Sequence, residues 1–372
     1  GGSIFRSSRA LVREADAKDP CSDDVEQLFD RLEAQNQDVM LFAHVGGRYA
    51  DLQRHREGLE TAVEVHSAWG TFEWMLEDAF ERGYRVAVVA NSDGHKGRPG
   101  ASHPGAGTFG SYGGLTCILA ERLDRDSVWE AYQSRRVYAT TGARIGLDVT
   151  ANESVPMGSV MPVGPQSIPT FQVAVHGTAA IEHVEFRNAM RVLKTVRNYR
   201  RSDLGNRVKV LWQGASVRGR GRQVNWDGGL RVTGNRIRDF ETINFHNREK
   251  TCTQTGPGAV AWRSTTSGGV AGVILELEKP GAGRLDVETG QKRFRTEIAR
   301  LGVTGRSYEL GGVGKRISAC RLPAAWSDRR SLAVSFTPKW GELRAGDNPL
   351  SVHVVQEDGH MAWSSPVYLV RD

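Results

Sequence analysis

The sequence has no closely spaced pair of cysteines. Cys21, Cys117, Cys252 and Cys320 lie far apart, so neither a Cys-x-x-Cys zinc knuckle nor a dense disulfide framework is expected. That usage fits a reducing, cytoplasmic compartment. No apolar run approaches the roughly 18 residues of a membrane-spanning helix, and Gly1 to Ala15 has no apolar signal core, so no membrane partner is expected. The chain opens Gly-Gly-Ser without a methionine, which leaves room for an upstream segment. Three catalytic signatures are also missing: the G-x-x-x-x-G-K-[ST] phosphate loop, the G-x-S-x-G nucleophile elbow and the H-E-x-x-H helix. Neither a repeat of fixed period nor a coiled-coil heptad is evident.

What is there reads as a folded chain. Hydrophobic residues make up 39% and charged residues 25% of 372 residues, which favours two or three domains. The net charge of +6 is uneven. From Arg187 to Arg222 eleven arginines and lysines face a single acid, Asp203. A nucleic-acid partner is the weaker reading of this stretch, because only Tyr199 and Trp212 interleave as stacking aromatics. A solvated rim of β-hairpins is the simpler one.

Hydrophobic periodicity divides the chain near residue 150. Val25, Leu28, Phe29 and Leu32 recur at helical spacing, and Val39 to Ala43 then reads as a strand buried on both faces that ends at His44. Ala62 to His66 is a second such strand. Phe72 to Arg82 is a helix closed by Gly83, and Val86 to Ala90 is a third strand that runs into Asn91-Ser92-Asp93-Gly94-His95. Leu115 to Ala120, Asp126 to Arg135 and Ile145 to Val149 continue the alternation, which implies parallel βαβ units. Beyond Asn152 the texture is all-β: short alternating stretches divided by glycine, proline, asparagine and aspartate.

In parallel α/β folds, functional groups collect at the carboxyl ends of strands. Three successive units deliver His44, His66 and the Asp93/His95 pair to that rim. Imidazole and carboxylate are the groups that hold zinc, manganese or iron, so these four are candidate metal ligands. Glu64 is a candidate ligand or base, and equally a candidate for orienting a histidine by accepting its second N–H.

Phe42-Ala43-His44-Val45-Gly46-Gly47, Val63-Glu64-Val65-His66-Ser67, Ser92-Asp93-Gly94-His95 with Gly97-Arg98-Pro99-Gly100, Tyr138 to Ile145, and Trp363 to Tyr368 together resemble a branch of the polymerase and histidinol phosphatase (PHP) superfamily, domain of unknown function 3604. The resemblance implies an α/β plus all-β chain: part of a distorted (β/α) PHP-type barrel over residues 1–150, followed by a β-sandwich-like accessory domain over 151–372. It implies a metal-dependent hydrolase with two or three divalent ions acting on a small phosphoester. His44, Asp93 and His95 match its ligand motifs, and His66 matches less closely. Trp69 departs from it, since relatives often carry histidine there. The superfamily's opening H-x-H motif is absent upstream of His44, and Ile4 to Ser8 resembles a mid-domain segment. A separate N-terminal fragment or second chain completing the barrel is therefore expected. Arg98, His103 and Arg144 are candidates for binding substrate phosphate. A binding module with a degenerate metal site is the alternative of a different class.

Overall fold

The apolar runs in the first ninety residues form three parallel strands. The computed structural model describes residues 23–34, 39–44, 52–93, 112–219, 221–324 and 329–372. Helix α1 (Asp23–Ala34) precedes β1 (Phe42–Ala43), which pairs in parallel with β2 (Ala62–Ser67); β2 pairs in parallel with β4 (Ala87–Ala90), and β3 (Gly70–Thr71) folds back on the end of β2. β1 is two residues long and half-buried, shorter and less covered than the run from Val39 implies.

Alternation along β2 and β4 sets what each face buries. Val63, Val65, Val86, Val88 and Ala90 lie beneath helix α2 (Trp74–Glu81), packed on Phe72, Met75, Leu76, Ala79 and Phe80. Each fully buried valine, leucine, phenylalanine or methionine among them contributes about 1.5–3 kcal/mol. Ala62, Ala87 and Val89 form the other face with Phe42, Ile118 and Tyr132. Glu64 continues that second face toward the carboxyl end of the sheet.

Beyond β4 the parallel βαβ pattern ends, and the expected (β/α) barrel is not formed. β5 (Leu115–Ile118) and β6 (Val137–Thr140), joined through helix α3 (Arg125–Gln133), are antiparallel, and β6 pairs onward with Met361–Ser364. Among the described residues there are three α-helices and 28 strands, all in open sheets. The reason lies on the free edge of β4. Tyr368 takes the Val86 N–H at 2.7 Å and donates to its carbonyl at 2.8 Å, Ser365 Oγ takes the Val88 N–H at 3.0 Å, and Thr116 Oγ1 takes the Ala90 N–H at 3.1 Å and donates back at 2.8 Å. Hydroxyls spaced at the period of the strand thus occupy the groups that a fourth parallel strand would need.

The remaining chain builds two sandwiches. In the first, the strands Gly146–Ala151, Phe171–His176 and Ser331–Phe336 lie over a sheet that contains Ile181–Asn188 and Gly346–Gln356, and Leu147, Val149, Phe171 and Val173 meet Val184, Phe186, Val352 and Val354 between them. The second lies within the first, from Leu204 to Pro323, as two five-stranded sheets. Trp212, Trp226 and Trp262 anchor its core, with Trp212 and Trp262 stacked at 4.4 Å. Their indole N–H groups donate to Ser264 Oγ at 2.9 Å, Thr266 Oγ1 at 2.8 Å and the Trp226 carbonyl at 2.7 Å. The segment from Ser264 to Thr266 is thereby held rigid.

Part of the basic stretch is folded inward. Arg207 donates to Glu357 at 2.6 Å and Lys209 to Glu182, all four buried, which ties the inserted sandwich to the split one. Arg187 reaches Glu73 at 2.7 Å and Glu185 at 2.6 Å. Burial pushes the Glu73 carboxyl up, but the charges of Arg187 and His353 and the indole of Trp363 outweigh it and bring it down to about 2. Arg207 and Lys209 thus form interior ion pairs, while Arg191, Lys194, Arg200, Arg201 and Arg218 lie exposed, as on a solvated rim.

Candidate functional site

At the carboxyl ends of the three parallel strands, polar side chains converge on the second face. His44 follows β1, Glu64 lies within β2, and Asn91 and Asp93 follow β4. Glu64, with a side chain 3% exposed, accepts from His44 Nδ1 through Oε2 and from Asn91 Nδ2 at 3.0 Å through Oε1. His44 Nε2 faces Asp93 Oδ2 at 3.5 Å. The hydrogen bond to Glu64 raises the His44 pKa; burial opposes it, the charges of Glu64 and Asp93 add to it, and Arg222 works against it.

Asp93 sits at φ 44°, in the left-handed region where aspartate is enriched over bulkier residues. Around it the backbone is tightly packed. Ala68 N–H donates to the Ser92 carbonyl at 3.3 Å and Gly114 N–H to the Asn91 carbonyl at 2.8 Å. A Cβ at Gly113 would stand 2.5 Å from Ser92 Cα, so only glycine lets the returning chain close over this strand end.

His66 is not part of the gathered set. The β2–β4 register slips between Glu64 and His66, leaving Val65 as an extra residue. The His66 ring is 3% exposed and engaged at both nitrogens, Nε2 donating to the Tyr112 carbonyl at 3.0 Å and Nδ1 facing Thr71 Oγ1 at 2.9 Å. Burial lowers its pKa to about 4 against the pull of that carbonyl, so the ring is neutral near pH 7 with its acceptor nitrogen spent on Thr71. Arg144 is exposed in the turn after β6. His95, Arg98 and His103 lie outside the described residues.

Two participants carried no site signal in the sequence. Asn91 fixes the second oxygen of Glu64. Arg222 comes from the inserted sandwich, is 7% exposed, and lies with its guanidinium 5.7 Å from the Trp69 ring centre and 5.0 Å from that of Phe72. Its place inside a long basic run gave no sign of this.

The donor set bears on the expected cation. With Nδ1–H given to Glu64, Nε2 of the neutral His44 ring is the nitrogen left to bind a cation, and it faces Asp93. Two donors each about 2.1 Å from one ion, at a tetrahedral angle, stand roughly 3.4 Å apart, close to the separation seen. Among the described residues, no group of three or more His, Cys, Asp or Glu is arranged to hold a metal. Of the expected ligands, His44 Nε2 and Asp93 Oδ2 are the pair whose spacing is compatible with one shared cation, and Glu64 contacts His44 from its other nitrogen.

No curated protein matches the chain. Among solved structures it is similar to BcpA, the major pilin subunit of Bacillus cereus, at 6% identity over 63% of this chain and 70% of that one, with a TM-score of 0.11, too low to carry any argument. Residues 87–179, from β4 and the Asn91–Asp93 strand end into the first sandwich, match the family described as Protein of unknown function (DUF3604).

Proposed function

We propose that the His44, Glu64 and Asp93 cluster is the nucleus of a divalent-cation site that serves hydrolysis of a phosphoester. One observation carries this reading: Glu64 holds His44 by Nδ1 and turns Nε2 toward Asp93 at 3.5 Å, the arrangement of a carboxylate–histidine pair presented to a cation with a second carboxylate beside it. A cation held there supplies a bound water of lowered pKa and a polarising charge for phosphoryl oxygens. The chain's own part is to fix the imidazole tautomer through Glu64, to hold Glu64 through Asn91, and to offer the Asp93 carboxylate from a constrained backbone. Zinc, manganese and iron all suit imidazole and carboxylate donors.

A second reading, a binding module with an incomplete cation site, is supported by the lack of a third donor among the described residues. Metal titration combined with turnover of an aryl phosphate ester separates the two. The hydrolase reading expects Mn²⁺ or Zn²⁺ to bind the wild-type protein and support turnover, with both lost in Asp93→Asn. Binding without turnover favours the module, and no binding removes both.

A further inference from the structure

The inserted sandwich reaches the strand ends through the turn at Ser267 and Gly268. Ser267 Oγ donates to the Trp69 carbonyl, and Gly268, at φ +118°, lies so close to β3 that a Cβ there would stand 2.2 Å from the Thr71 carbonyl oxygen. Arg218 and Arg222, from the same module, lie alongside. Arg218 pairs with Asp78 of α2 at 2.9 Å and lies 4.8 Å from the Trp74 ring centre. Arg222 ends up on Trp69 and Phe72.

Trp69 is one residue from Ala68, whose N–H is bonded to Ser92, the neighbour of Asp93. Trp69, under the guanidinium, thus adjoins the strand end that carries Asp93, and the charge of Arg222 acts on both His44 and Asp93. Among the described residues its hydrogen-bonding capacity is largely unspent. One terminal nitrogen donates to the Gly219 carbonyl at 3.1 Å, while Nε, fully buried, has no hydrogen-bond partner among the described residues. A buried donor without a partner costs free energy unless a ligand satisfies it.

We infer that Arg222 is an oxyanion-binding residue that the inserted sandwich contributes to the strand-end site, where its planar donor fork grips the phosphoryl group of the substrate. This rests on the hydrolytic reading of the cluster for its substrate, though not for its geometry. Trp69 acts as the platform: an indole under the guanidinium fixes the plane of the fork and leaves its edge for the anion. The indole at position 69, which breaks the resemblance, thus has a function of its own.

Calorimetric titration with inorganic phosphate, with and without Mn²⁺, tests this in the wild-type chain and in Arg222→Met and Arg222→Gln, using whichever variant keeps the wild-type melting profile. Phosphate affinity is expected to fall roughly 10- to 100-fold in the variant, while Mn²⁺ affinity changes little. Equal phosphate binding by variant and wild type overturns the inference, as does a wild-type chain that takes up Mn²⁺ but no phosphate. A wild-type chain that binds no Mn²⁺ sinks the hydrolytic reading instead, and the metal-free phosphate titration still decides the role of Arg222.

Discussion

The Tyr368 hydroxyl accepts the Val86 N–H at 2.7 Å and returns its own proton to the Val86 carbonyl at 2.8 Å, so one side chain makes both bonds that a partner strand would make there. Both residues are buried, and water cannot replace either bond.

Tyr368→Phe should therefore leave two buried backbone groups without partners. A loss of about 2–4 kcal/mol is expected from the usual cost of orphaned buried donors and acceptors. Chemical denaturation measures it directly. A loss under about 0.5 kcal/mol, the ordinary scatter of surface substitutions, would mean that the edge of β4 is not closed in this way.

That edge explains what the sequence could and could not convey about the fold. Valine-rich runs that end in polar residues mark β2 and β4 because strands covered on both faces need apolar side chains throughout. The stretch from Leu115 to Thr140 has the same strand–helix–strand texture, yet β5 and β6 run antiparallel. Texture reports burial, not direction. Direction is set here by Ser365 and Tyr368, about 280 residues along the chain from the groups they satisfy, and no local pattern carries that.

The same division holds at the site. His44, Glu64 and Asp93 were legible because strand ends of parallel neighbours converge. His66 obeys the same positional logic, yet the slip at Val65 and the contacts with Thr71 and Tyr112 hold it elsewhere. Arg222 was legible only as one charge among many, since its meaning depends on an inserted module docking by Gly268 against Thr71.

Lys209 and Glu182 form a buried pair between the two sandwiches, each less than a tenth exposed. Burial pushes the Glu182 carboxyl up, but Lys209 and His183 outweigh it and hold it well below the usual range. Lys209→Met should cost about 3–5 kcal/mol by stranding that charge, whereas Lys209→Met with Glu182→Leu should recover most of the loss. Denaturant midpoints of the single and double variants decide it. A double variant no more stable than the single would show that packing, not the stranded charge, sets the cost.

His66 makes the fold sensitive to mild acid. Its pKa falls from 6.5 in the unfolded chain to about 4 in the folded one, so the unfolded chain binds more protons between those values. The contribution is complete above pH 6.5, declines as the pH falls, and is gone below about 4. A shift of this size corresponds to on the order of 3 kcal/mol. The stability difference between wild type and His66→Asn should shrink by that order across the window. A difference that stays constant from pH 7 to pH 4 would mean that the ring is not held neutral.

Glu64 provides the sharpest test of the site, because it is buried, anionic and spent on two donors at once. Its Oε2 takes the His44 Nδ1 proton and its Oε1 an Asn91 Nδ2 proton. Glu64→Gln keeps the shape, but the new amide has one acceptor oxygen for two donors and turns its NH₂ against one of them. The imidazole then loses both the charge that favours its Nδ1–H tautomer and the bond that fixes its plane. Outer carboxylates of this kind are typically worth 10- to 100-fold in metal affinity. Glu64→Gln should weaken Mn²⁺ or Zn²⁺ binding by about that factor, while Asp93→Asn, which removes a donor, should weaken it further. The order is the discriminating result: a Glu64→Gln loss exceeding that of Asp93→Asn would make Glu64 the donor and Asp93 the support, and no loss in either would place the cation elsewhere.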